Sequence, residues 1–444
     1  MAATRSITAT RVVRRSERDA VRLVEADVCV VGAGIAGVSA AVEAARSGRR
    51  VVLVDGLPRL GGQAVNAVIG TFAGLLSNDP EPYAFTYGIA EDILRELGAS
   101  GDLRLRRKHN TVMYDEGALG RWVERTVHES GITVLLGAVL RGVEREGRRL
   151  TALDAATRHG DVRVCAGGYV DATGDATVAW LAGLECREPA DGPVYGSQKV
   201  VLENIDEEFY PAPAELLDRL RTVGDRYGVV RKDGLANLFV GRSTAVLNMT
   251  HIETPLDPAL AARSAYEGRT EAEKTVRFLR EEFPKAFGAA RVRTMGLLGV
   301  RQTRWIRGRT QLTVDDVRSG RRPDDAIART GWGVELHNER ETSLWEPQPP
   351  GHVHYVPYGA LVPPEADNLL AAGRCVDGDV AALSSVRVMG PCIATGAAAA
   401  HALDLALADG GGVHEVPVAA LQERLRDNLH RTDPYRDPAP APVG

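Results

Sequence analysis

The segment from residue 26 to residue 55, ADVCVVGAGIAGVSAAVEAARSGRRVVLVD, constrains the fold more than any other stretch. Val28–Val31 is a short β-branched run, the pattern of a strand buried in a parallel sheet. Three glycines follow, Gly32, Gly34 and Gly37, with Ile35 and Ala36 opening an alanine-rich helix. Gly32 permits a tight turn, Gly34 lets the backbone approach a pyrophosphate, and Gly37 lets the helix pack close to the strand. The helix start aims free N–H groups and a positive dipole end at the phosphates. Val51–Val54 reads as a second strand, and Asp55 ends it, 18 residues after Gly37, placed to take a ribose hydroxyl. A plain βαβ unit does not need strand, helix, second strand and terminal acid in this register. The acid disfavours a ribose 2′-phosphate, which leaves NAD or FAD.

The chain has 444 residues, enough for two or three domains and a large core. Its net charge of −5, from 54 basic and 59 acidic residues, carries no nucleic-acid signature. Five cysteines lie scattered without a CxxC, which argues against a disulfide framework or a redox dithiol and fits a cytoplasmic location. No apolar run is charge-free over a bilayer's thickness. Residues 388–408 come nearest, and Arg387, His401 and Asp404 interrupt them, so no membrane partner is expected. Residues 1–25 form a basic arm with Arg5, Arg11, Arg14, Arg15 and Arg18. The arm is either solvated or packed on a neighbouring copy in a homo-oligomer. Residues 431–444 are Pro-rich and read as a disordered tail.

Further along, the segment from Gly56 through Arg59 to Gly61, Gly62 and Gln63 forms a loop whose double glycine lets backbone run against a cofactor. Residues 117–130 read as an amphipathic helix, followed by a strand and a hairpin in which Val139 is a candidate neighbour of an adenine ring. In VDATGDATVAW, a strand ends at Ala172 and turns sharply through Thr173, Gly174 and Asp175. Leu369–Ala372 is a strand that turns at Gly373 and Arg374. A helix then opens near Gly390, Pro391, Cys392 and Ile393, where proline suits the first turn. That helix start is a ready anion site, and a reduced flavin is negative at its N1–C2=O edge.

Four blocks together resemble a known family. They are VVGAGIAG with Asp55 and the RLGG loop; VDATGDATVAWLAG; LLGVRQTRWIRGRTQLTVDDV followed by DDAIARTGWGVELH; and VPYGALVPPEADNLLAAGRCVDGDVAALSSVRVMGPCIATGAAAA. The chain is similar, from about Ala26 to about Leu407, to the bacterial FAD-dependent oxidoreductases related to the fumarate-reductase and glutathione-reductase flavoproteins. The resemblance implies an α/β fold: a discontinuous Rossmann-type FAD-binding domain (26–189 and 356–430) with an inserted mixed-sheet substrate domain (190–355). It implies FAD laid from Asp55 and Val139 at the adenine end, over Gly32–Gly37, to Gly373, Arg374 and the 390–393 helix start. It also implies that Arg387 faces the flavin and holds a substrate carboxylate, against the plainer reading of a structural ion pair. Gln63-Ala64-Val65-Asn66 stands where covalent-flavin relatives carry a histidine or cysteine, so the FAD is expected to be non-covalent. The loop CVDGDVAALSS, with Asp377 and Asp379, departs from the usual small polar loop.

No second GxGxxG follows a strand. Electrons are therefore expected to come from a small organic substrate by hydride transfer to flavin N5, and to leave to oxygen or a carrier. The alternatives are an NAD(P)H-dependent monooxygenase or reductase, and a non-catalytic FAD-binding or RNA-modifying flavoprotein. Hydride loss from an alcohol or amine needs a base, and His251 and His337 are candidates, with a structural histidine as the competing reading for each. His354 and Tyr355, in GHVHYVPYG, are candidate pocket residues or one exposed strand face. His352 and His354 share a strand face, but no further ligands accompany them and no metal is expected. Arg301 and Arg304 are three apart, on one face if helical, and suited to clamp an anionic substrate. Richness in Ala, Arg and Gly suggests a high-GC bacterium and a role in biosynthesis.

Overall fold

The computed structural model describes residues 10–14 and 21–436. Strand β1 (Val21–Val31), helix α1 (Ile35–Arg46) and strand β2 (Val51–Asp55) form the expected unit, with β1 and β2 parallel from Val28↔Val51 to Val31↔Val54. They sit in a seven-stranded mixed sheet. Thr133–Leu136 pairs parallel with β2, Gly160–Asp171 pairs parallel with β1, and Leu369–Ala371 pairs parallel with Gly160–Asp171. Arg149–Thr157 and Val139–Glu146 extend the far side as an antiparallel meander. The parallel half carries the strand ends at Gly32, Ala172 and Gly373 that turn toward the site.

β1 begins seven residues before its apolar run. Val21–Ala26 pairs in register with Asp161–Ala166 although Val21 and Leu23 are exposed. Here the long partner strand, rather than burial, satisfies the backbone. Residues 21–25 therefore belong to the sheet and not to an arm; of the rest of that arm, only residues 10–14 are described. At the other end, Pro434 bridges Tyr83, and the Tyr435 N–H donates to Pro82 O at 2.6 Å. Arg431 adds ion pairs to Glu91, Asp427 and Asp433. Residues 431–436 are thus packed, where a disordered tail was expected; 437–444 lie outside the described residues.

Helix α1 and the helix Met389–Asp409 pack closely through small residues. A Cβ on Gly396 would lie 2.1 Å from Ala36 O, and Ser39 Oγ donates to Ile393 O at 2.8 Å. By length and composition the Met389–Asp409 helix can cross a membrane, with a mean hydropathy of 1.3 in its most apolar window. Of that window, 78% is buried within this fold. His401 and Asp404 therefore do not disqualify it as the sequence reading supposed; its place in the core accounts for its composition.

A second sheet runs in the order Leu235–Phe239, Thr244–Asn248, Ser197–Glu203, Arg291–Gly299. Its pairings are all antiparallel, so the mixed pairing belongs to the large sheet and not to this unit. Helices Pro213–Val223 and Pro258–Glu282 bury Leu216, Leu220, Phe278 and Leu279 in one core with this sheet's Leu202 and Leu247. Its other side faces the nucleotide unit across a cavity.

Candidate active site

One cavity of about 780 Å³ runs from the β1–α1 turn to the edge of the second sheet. At the outer end the turn is locked by its glycines. Gly32 has φ +99°, and a Cβ there would lie 2.3 Å from Ala172 O; a Cβ on Gly37 would lie 1.8 Å from Gly32 O. Gly34 differs, because a Cβ there would meet nothing within 4 Å. Its open side is cavity, next to Ile35 and Ala36 at the helix start. The space left at Gly34, under the first amides of α1, is a cradle for a phosphate. Asp55 lines the same end. Its carboxylate accepts the Ala33 N–H at 2.5 Å and the Leu57 N–H at 2.7 Å. Burial pushes Asp55 up and these two amides pull it back.

The opposite walls come from two further strand ends. Ala172, Thr173, Gly174 and Asp175 line the cavity, as do Gly373 and Arg374. Asp171, fully buried, holds the first of these turns. It accepts from Thr173 Oγ1 at 2.7 Å and from the Val178 and Ala179 amides at 2.9 and 3.1 Å. Gly62 and Gln63 line the wall between, and Gln63 Oε1 accepts the Val300 N–H at 2.9 Å, tying the nucleotide unit to the second one. Several expected cofactor residues do not reach the cavity. Gly37, Gly61, Gly390, Pro391 and Ile393 pack behind its wall. Arg59 is half-exposed, 3.9 Å from Glu124. Val139 is 59% exposed with Gly56 beside it, and Leu57 takes the place at the cavity foreseen for Val139.

The inner end is rich in charge. Lys199, Arg231, Asp233, Arg301, Glu335 and Arg387 all line it. Arg231 Nε donates to Asp233 at 2.6 Å and its Nη1 to Asn248 Oδ1 at 3.1 Å. Arg301 donates to Tyr195 O at 2.6 Å and Ser197 Oγ at 2.9 Å. Arg387 donates to the backbone Glu335 O at 3.0 Å, and burial lowers its guanidinium to about 10. Burial, then Arg301, lower the Lys199 ammonium to about 7. Trp332, Trp345 and His109 form an aromatic wall, with Trp345 5.1 Å from Trp332 and 5.0 Å from His109 between ring centroids.

His251 and His337 do not line the cavity. They form a buried chain behind Glu335: Arg340 O to His251 Nδ1 at 3.1 Å, His251 Nε2 to His337 Nδ1 at 2.8 Å, His337 Nε2 to Glu335 Oε1 at 3.1 Å. A carbonyl oxygen only accepts and a carboxylate accepts, so three hydrogen bonds between these ends need three protons. Two neutral imidazoles supply two. Two protons therefore serve the three contacts, and the ring tautomers decide which contact goes without one. Burial, then Arg231 and Arg301, lower His251 to about 3, which leaves it neutral. Burial and Arg301 put His337 well below its ordinary value despite Glu335, so it too stays neutral, and against burial His337, Arg387 and Arg301 hold the Glu335 carboxyl below the usual carboxylate range.

Of the remaining candidates, Arg301 and Arg304 lie in a loop and not on a helix. That loop turns Arg301 into the cavity and Arg304 away, over the Trp180 ring at 4.2 Å, with its Nε donating to Asp175 O. His354 is fully buried against Ser385 Oγ at 2.8 Å, and Tyr355 stacks under Arg322; neither lines the cavity. His352 and His354 do share a face, their rings 5.4 Å apart. Sequence reasoning missed Lys199, Arg231, Asp233, Glu335, Trp332 and Trp345. The one available signal was the scarcity of tryptophan: with five in the chain, two within thirteen residues mark a special surface.

A family model described as FAD dependent oxidoreductase matches residues 27–425. The chain belongs to the FAD-dependent oxidoreductase family. No curated protein matches this flavoprotein. Among solved structures it is similar to a geranylgeranyl bacteriochlorophyll reductase-like protein from Thermoplasma acidophilum, at 13% identity and TM-score 0.49, covering 92% of this chain and 84% of that one. It is also similar to the flavin-dependent brominase Bmp2 (12%, TM-score 0.47, 91% and 84%). A third is p-nitrophenol 4-monooxygenase from Pseudomonas putida DLL-E4 (11%, TM-score 0.43, 93% and 87%). The residues present fit FAD: the cradle at Gly34, the helix start at Ile35 and Ala36, and Asp55 suit its pyrophosphate and ribose. Cys392 also lines the cavity, but its thiol donates to Arg387 O at 3.1 Å and burial pushes it up to about 12, so it stays protonated.

Proposed function

We propose that this enzyme withdraws an electron pair from a small organic substrate at the inner end of the cavity, with FAD held non-covalently along the outer end. The observation that carries this reading is the continuity of one cavity between a dinucleotide cradle and a charged, aromatic inner end. When bound, FAD supplies an acceptor for hydride. The side chains do the rest. Arg231, Arg301 and Arg387 bind and orient, Trp332 and Trp345 exclude water, and Glu335, backed by His337 and His251, takes the proton that the substrate loses. His337 and His251 are thereby positioning residues for Glu335 and not bases in contact with substrate. Electrons then leave to oxygen or to a carrier.

The test is an anaerobic spectral titration. The purified protein is expected to be yellow, to release its flavin on acid denaturation, and to keep its flavin band when NADH or NADPH is added. Rapid bleaching by either nicotinamide replaces this reading with a reductase or monooxygenase. A colourless protein that takes up no added FAD overturns it.

A further inference from the structure

We propose that the inner end of the cavity is a subsite for a planar, conjugated organic carboxylate; this rests on the oxidoreductase reading and names the class of molecule that reading requires. Four basic groups, the part-charged Lys199 and the guanidiniums of Arg231, Arg301 and Arg387, meet two carboxylates, Asp233 and Glu335. Asp233 is committed to Arg231, and Glu335 to His337 and the Trp332 N–H. The donors of the other three cations go to uncharged oxygens: Lys199 to Ile69 O, Arg301 to Tyr195 O and Ser197 Oγ, and Arg387 to Glu335 O. Arg387 Nε is buried with no partner at all. Among the described residues, no carboxylate comes within 4.0 Å of these three cations. Buried charges are normally paired, so this end is built around a negative charge that the chain does not itself provide.

The aromatic wall narrows the class. Trp332 is fixed by its 3.2 Å hydrogen bond to Glu335 Oε2, the residue whose backbone carbonyl holds Arg387. Trp345 and His109 continue the wall outward. These rings are tilted 58° and 71° to one another, so a flat π system stacks on one of them while its carboxylate meets the guanidinium forks. A compact phosphate would satisfy the cations and leave the wall uncovered.

The FAD-replete enzyme is titrated with benzoate, benzamide, cyclohexanecarboxylate and inorganic phosphate, following tryptophan quenching and the shift of the flavin band. Benzoate is expected to bind, benzamide about tenfold or more weaker for loss of the charge, and cyclohexanecarboxylate about fivefold weaker for loss of the stack. Arg301→Gln should weaken benzoate about tenfold without changing the bound FAD. The comparison of benzoate with benzamide needs no variant and decides the matter even if Arg301→Gln does not fold. Equal binding of benzoate and benzamide, or displacement of benzoate by equimolar phosphate, overturns the subsite. A yellow protein blind to benzoate overturns the subsite alone. A protein that binds benzoate but no FAD overturns the oxidoreductase reading and leaves the subsite standing.

Discussion

Glu335 shows how much of a side chain's role comes from its neighbours. One oxygen faces the His337 ring, the other takes the Trp332 N–H, and its own backbone carbonyl holds Arg387. Glu335→Gln keeps this geometry, because the amide N–H donates to His337 Nε2, but it removes the ionisable group. The variant is expected to fold and bind FAD as the parent does, and to bind benzoate severalfold tighter, since one anion is gone from a cationic end. The rate at which a reducing substrate bleaches the flavin should fall by about 10²–10⁴. Stopped-flow absorbance and the benzoate titration read both effects; an unchanged bleaching rate removes Glu335 from the proton path. At this scale the sequence was a poor guide. His251 and His337 drew attention as titratable groups, yet burial puts them behind the acid that meets the cavity. Lys199, Arg231 and Glu335 come from separate segments, and no local pattern announces that they converge.

Elements were easier to read, because their causes are local. The β1–α1–β2 unit follows from some thirty contiguous residues, and each glycine's task is visible in its own spacing. The turn offers a clean contrast. Gly34→Ala adds a methyl into open cavity, so the fold should hold while FAD affinity falls about tenfold or more through a blocked phosphate approach. Gly37→Ala drives a methyl into the Gly32 carbonyl and is expected to lose soluble, folded protein. Thermal melts with FAD titrations separate the two; equal behaviour would mean that the turn does not carry the cofactor. Where elements were misread, tertiary context decided. Arg301 and Arg304 share a face only if helical, and the chain there is a loop that splits them. The first strand extends to Val21 because its partner is long enough to receive it.

For the whole molecule, the outer end of the cavity is made by the large sheet and the inner end mostly by segments beyond residue 190. A ligand that spans both should tie the two units together. Saturating FAD at about a hundredfold over its Kd adds about 2.7 kcal/mol to the folded state. That predicts a rise of about 3 °C in Tm over the FAD-free protein, read by scanning fluorimetry. No rise would detach the cofactor from this cavity. The α/β nucleotide fold was legible because the resemblance ran through long blocks, whereas the inner end of the cavity comes from segments that depart most from those blocks and had to wait for the fold.

The separation of the two walls also bears on how such an enzyme diversifies. Gly32, Gly34 and Asp55 sit on strand ends locked by backbone contacts, whereas Lys199, Arg231, Arg301 and Trp345 project from four different segments. On the proposed reading, a single exchange among the latter retunes the molecule accepted without disturbing the redox half. Descendants of this chain can therefore change diet one residue at a time while inheriting the same electron chemistry.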